Sequence, residues 1–396
     1  MIRIDAGERR RRLAVRHRLA PGYLAGDPAD LARSVVALHA TDPATVYLAV
    51  GARTTGRGDP AALDAAIYQD RRLIRMLGMR RTIFVFPADL AAVVQRSTTN
   101  RIAADQRGLL LRLLAEAGSI TDPDTWASDA ESAVLSVMAA AGGSATAAEL
   151  TAAVPALRTQ LLLAPGKPYQ ATTNVTGRLL FVLAAEGKLV RGRPTGSWLS
   201  QQYRWWLTQR WLPGALDTEI SDAAARAELA RQWLSAFGPA PISDLKWWTG
   251  WTMGEVRQAV GDLKLVEVDL GEGKAPGLAL PDDLDLTADP GPWAALLPAL
   301  DPTVMGWADR SWFLGPHAGA LFDRTGNAGP TVWLSGRVVG GWAQRRDGEV
   351  VVRLLEDVGR LGEDLIAERA AGLRDWLGDR LVTPRFRTPT ERDLTS

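Results

Sequence analysis

Apolar positions along the chain recur first at helical spacing and then at strand spacing, and this succession repeats three times. In the first unit, residues 28–38 read as a helix with Leu31, Val35 and Leu38 on one face. Asp42-Pro43 supplies a cap and first-turn pair for a helix to Arg53, and Asp59-Pro60 does the same for residues 61–69. Residues 73–79 and 81–86 then pair as strands. The second unit runs through a helix at 129–141, a capped segment at 144–154 with Thr146 three residues before Glu149, and an amphipathic helix at 174–186. A hairpin follows, with strands at 188–193 and 197–206 about a Pro194-Thr195-Gly196 turn. A helix followed by a hairpin is the outline of a winged helix. The third unit repeats it with helices at 223–237, 242–248 and 252–263 and a wing at 266–270 and 278–280. Residues 290–396 read as α+β, with strands at 331–334, 337–344 and 349–354 and a closing amphipathic helix at 361–377.

These boundaries divide the chain into residues 1–112, 113–220, 221–289 and 290–396. The division changes the meaning of the charge. The 396 residues carry a net charge of only +1, which argues against a polyanionic partner. Yet residues 1–112 carry +9 and residues 158–210 carry +7, set against −6 in 113–157 and −9 in 211–396. Two basic segments separated by acidic ones fit an anionic partner gripped in two places. Solvated surface arginines are the plainer explanation, since 41 of the 46 basic residues are Arg.

Other classes are excluded more firmly. The absence of Cys removes disulfides and thiolate chemistry and fits a reducing cytoplasm. His17, His39 and His317 are scattered, so no metal site is expected. There is no phosphate-binding glycine motif, hence no expected cofactor, and no apolar run long enough to span a membrane. The first twelve residues are charged and unlike a signal peptide. Of the 15 Trp, 14 lie at or beyond Trp198; most are expected in packing, with Trp205 and Trp206 beside Arg204 the exception.

Several short stretches occur together in a fixed order: Ala37-Leu38-His39-Ala40-Thr41-Asp42-Pro43, Met79-Arg80-Arg81-Thr82, Gly238-Pro239-Ala240 with Trp247-Trp248-Thr249-Gly250, Leu296 to Pro302, Gly306-Trp307-Ala308-Asp309-Arg310, and Gly340-Gly341-Trp342. In this the chain resembles the AlkZ-like (YcaQ-like) winged-helix family of bacterial DNA glycosylases over nearly its whole length. The resemblance implies an α+β fold of tandem winged-helix units around a β-rich scaffold, C-shaped, and acting as a monomer on double-stranded DNA, preferably alkylated. It also implies monofunctional excision of bulky N7-alkylpurines, in some members from antibiotic adducts. The family's catalytic signature is Gln, an apolar residue, then Gln or Asp; the matching positions here are His39, Ala40 and Thr41.

The same positions stand out on chemical grounds. Pro43 disfavours helix at Asp42, so the chain between the two helices is expected to be extended, with His39 and Thr41 facing one space. N7-alkylguanine is already cationic, so its excision requires a positioned water and stabilisation of an oxocarbenium-like sugar. His39 could accept the proton, Thr41 orient the water, and Asp42 face the developing charge. Equally, His39 and Asp42 could be ordinary helix caps. For DNA contacts, Arg80, Arg81 and Thr82 occupy the start of the first hairpin's second strand, where the family lines its channel. Arg178 falls on the second unit's recognition helix, and Arg191, Arg193 and Arg204 on its wing, with Arg191 and Arg193 projecting from one face. The alternative is a non-catalytic winged-helix DNA-binding protein or transcriptional regulator.

Overall fold

The computed structural model describes every residue except Ser119, Pro165, Tyr169, Asp217, Thr218, Glu272, Arg385 and Phe386. It is a mixed α+β structure built on several small sheets. In the first, strand Ile83–Pro87 lies between Leu73–Leu77 and the two-residue strand Leu38–His39, all antiparallel. In the second, Tyr203–Leu207 lies between Ser144–Thr146 and Leu189–Pro194. In the third, Ile2–Arg3 runs parallel to Val266–Asp269, which pairs with Gly277–Ala279. A four-stranded antiparallel meander, Ala294–Leu297, Thr331–Leu334, Arg337–Gln344 and Val350–Leu354, forms the scaffold under helix Gly359–Leu377. Among the described residues no helix is long and apolar enough to cross a membrane.

Local chemistry explains most of these boundaries. Asp42 accepts from the Ala44 amide at 3.0 Å and starts helix Pro43–Gly51. Thr146 with Glu149, and Thr252 with Glu255, form reciprocal capping boxes. Helix Pro123–Ala140 starts six residues before the expected position, because Asp122-Pro123 is a further cap and first-turn pair, like Asp27-Pro28 ahead of helix Pro28–Ser34. The expected helix at 28–38 stops at Ser34: Val36 adopts φ 64°, and Leu38 and His39 pair with Val85 and Phe84 instead. The expected strand at 81–86 begins only at Ile83. Arg80 and Arg81, at φ 52° and 62°, form a tight turn closed by the Gly78 amide donating to the Thr82 carbonyl at 2.8 Å. Likewise the strand expected from 197 begins at Tyr203. Helix Asn100–Glu116 and the hairpin Gln160–Leu163 with Ala171–Asn174 had no counterpart in the sequence pattern.

Packing groups these elements differently from the chain order. One core runs from Leu13 through Phe86, Trp233, Trp307 and Trp333, joining residues 1–112, 221–289 and the scaffold. Residues 113–220 hold most of a second core of their own, around Leu110, Val134, Leu179 and Trp205. The Trp-rich half of the chain is therefore largely interior. Polar joints lock the large core: Arg53 and Asp301, both fully buried, pair through two hydrogen bonds of 2.6 and 2.8 Å. His17 bridges Thr303 and the Ala236 carbonyl while stacking on Trp307.

Candidate functional site

Between the first two sheets lies a cleft of about 570 Å³, large enough for a nucleotide. Its walls come from Ala40 and Thr41, from Arg75 on strand Leu73–Leu77, from Gly177, from Arg191 and Trp205 on the second hairpin, and from the loop carrying Thr195, Gln201 and Gln202. Among the described residues no Asp, Glu or His lines it. That loop does not hang free. Its Trp198 stacks on Tyr47 at 4.6 Å and meets Trp376 at 6.2 Å, so the loop is pinned against helices Pro43–Gly51 and Gly359–Leu377.

His39, Thr41 and Asp42 are not brought together. Thr41 is exposed at the cleft wall. His39, in the strand paired with Phe84, is buried edge-on against that ring at 5.3 Å, and its Nδ1 has no partner. Burial, then the Arg80 charge, pushes its pKa down to about 3. The imidazole therefore stays neutral at physiological pH and is a weaker proton acceptor than an ordinary histidine. Asp42 turns to the other side, into a crevice of about 20 Å³ with Pro298 and Trp342. There it caps its helix, and burial raises its pKa. The extended segment ends at His39, and the bend at Thr41 and Asp42 redirects each side chain separately.

The arginines divide into free and paired. Arg80, on the hairpin turn rather than in the strand, lies 3.9 Å over Trp247, and Arg310 lies 4.8 Å from the same ring. Three of the ordered motifs thus converge at one point, where Gly250 at φ 73° allows Arg80 Cγ to approach. Thr82 closes the turn through its backbone. Arg81 and Arg178 face a second groove of about 460 Å³ with Asn174 and Phe181, and Gly177 lines both this groove and the cleft. Arg191 lies 4.7 Å over Trp205. A bulge between Arg191 and Pro194 separates it from Arg193, which instead pairs with Asp64 at 2.6 Å and packs on Tyr68. Arg204 pairs with Glu149 at 2.9 Å.

The model for the family described as "DNA glycosylase AlkZ-like" matches residues 32–379. The chain belongs to the AlkZ-like DNA glycosylase family. It is accordingly a DNA glycosylase, and DNA is its substrate. The fold is similar to that of Streptomyces sahachiroi DNA glycosylase AlkZ, with a TM-score of 0.73 over 96% of this chain and 99% of that one, at 22% identity. No curated protein matches. In this AlkZ-like chain the residue that sequence reasoning missed is Arg75, 2% exposed and part of the cleft wall. Its flanks, Leu73-Ile74 and Met76-Leu77, are those of an interior strand, and only a charge inside such a run marks it.

Proposed function

We propose that this glycosylase hydrolyses the N-glycosidic bond of bulky N7-alkylguanine in duplex DNA, in the cleft walled by Thr41, acting as a monomer. The observation that carries this is the lining: among the described residues it offers no carboxylate or imidazole to protonate a departing base. A base that must be protonated to leave finds no acid there. A cationic N7-alkylpurine needs none, only a held water and a stabilised sugar. The cleft is open enough to accept bulk. Thr41 would hold the water by its hydroxyl, with neutral His39 behind it shaping the wall. The units at 1–112, 113–220 and 221–289 serve as winged helices that place duplex DNA against it in a C-shaped channel. Arg80, Arg81, Arg178 and Arg191, none in a salt bridge among the described residues, are its phosphate contacts. The uncapped N-terminus of helix Thr176–Ala185 adds positive potential between the two grooves. Self-resistance to a genotoxic natural product is the role such an activity fits.

The test uses duplexes carrying one N7-alkylguanine or one neutral lesion, hypoxanthine, heated in alkali after incubation. Cleavage at the first and not the second is expected; equal release of both contradicts the acid-free mechanism.

A further inference from the structure

The wall of the cleft contains a charge with no salt-bridge partner among the described residues. The guanidinium of Arg75 donates to the Tyr203 hydroxyl at 2.9 Å and the Ala40 carbonyl at 3.4 Å, and lies 5.2 Å from the Tyr203 ring. Its Nε is buried with no partner. Arg12 and Arg53, buried as deeply, hold the carboxylates of Glu8 and Asp301. Burial works against the Arg75 charge, and the neighbouring phenols of Tyr68, Tyr203 and Tyr47 outweigh it and hold its pKa above the usual arginine value; no carboxylate pairs with it among the described residues. A second cation shares the wall. Burial and the Arg75 charge hold the pKa of Arg191 down to about 10. Two like charges thus share one wall with no carboxylate paired to either among the described residues, and an anion seated between them would relieve their mutual repulsion.

We propose that Arg75 and Arg191 form a seat for one phosphodiester of the strand that carries the target nucleotide, fixing its sugar in register with Thr41. This rests on the cleft being where the glycosylase acts. Planar guanidinia are well shaped for such a seat, since each presents a donor fork to two phosphate oxygens, and the Tyr203 and Trp205 rings hold the forks in place. With no carboxylate in the lining, the seated phosphate is also the anion nearest the oxocarbenium-like sugar.

The test is binding of the full chain to a duplex with a tetrahydrofuran abasic analogue, with single methylphosphonates placed in turn along the analogue strand. One position is expected to weaken wild-type binding about tenfold, the effect of losing a charge-assisted hydrogen bond. Arg191→Met should show that loss already and lose no more at that position, while other positions weaken it as they weaken wild type. Arg75→Met should behave alike; Arg75→Lys, which keeps the charge, should recover part of it. If variant and methylphosphonate losses multiply at every position, there is no seat. Excision by wild type is measured in parallel. Excision with no special position overturns the seat alone, whereas a special position without excision supports the seat and overturns the glycosylase assignment for this cleft.

Discussion

The division of arginines into free and paired makes a quantitative forecast for DNA binding. Of the six arginines that charge and family likeness single out, Arg193 and Arg204 already hold Asp64 and Glu149. Arg80, Arg81, Arg178 and Arg191 hold no acid among the described residues, and three of them line the cleft or the groove beside it. Each phosphate neutralised by a free cation releases condensed counterions, contributing about −0.9 to the slope of log affinity against log salt. Four such contacts contribute about −3.6. Between about 50 and 200 mM salt, one contact accounts for a loss of about 3.5-fold. A cation that leaves a carboxylate for a phosphate gains much less, because an exposed pair exchanges one anion for another. Fluorescence anisotropy with an abasic-analogue duplex across that salt range, for six single Arg→Gln variants, measures this directly. The four free positions should each flatten the slope by about 0.9 and the two paired ones by much less. Equal changes at all six, or a wild-type slope near zero, would refute the division.

The histidines give a second forecast. His17 and His39 are held neutral to about pH 3, below the ordinary 6.5, so the unfolded chain binds more protons than the native one between those values. Stability should therefore fall as pH drops below 6.5, by up to about 1.4 kcal/mol per pH unit for each histidine, as urea unfolding at pH 7 and pH 5 would show. For the same reason single-turnover excision should show no inflection near pH 6.5; one that disappears in His39→Gln would contradict the buried neutral imidazole. At the joint between first unit and scaffold, Asp301→Asn leaves the Arg53 charge buried and should cost about 3–5 kcal/mol in urea unfolding. The double variant Arg53→Met/Asp301→Leu should recover most of that, and a single-variant loss below about 1 kcal/mol would show the pair to be solvated.

What could be read from the sequence was what is decided locally. Caps such as Asp42 and Thr146, and strands such as Thr331–Leu334 and Arg337–Gln344, fall where their own residues direct them. Leu38 and His39 do not: helical periodicity included Leu38, but pairing with Val85 and Phe84 decides its conformation. Helix Asn100–Glu116, with five polar residues among its first eight, lacks a sharp apolar stripe, because it packs between units rather than on one core. The ordered motifs proved legible as a family mark and less so as chemistry. Trp307 donates to the Phe237 carbonyl, Trp342 to that of Leu297, and Thr45 to that of Ala299, so most of the motifs join first unit, third unit and scaffold. Arg75 escaped notice because its significance lies in what is absent around it, a carboxylate, and absence in space leaves no trace in sequence.

The most direct measurement is the release of free base. A duplex with one bulky N7-alkylguanine is incubated with excess enzyme and the freed base quantified by mass spectrometry, for wild type, Thr41→Val and Arg191→Met. Wild type should release one base per duplex far above the spontaneous rate. Thr41→Val, which keeps the shape and removes the hydroxyl, should slow release about a hundredfold or more with binding retained, as expected for loss of a group that positions the attacking water. Release at the spontaneous rate by wild type, or at the wild-type rate by Thr41→Val, would contradict excision in this cleft.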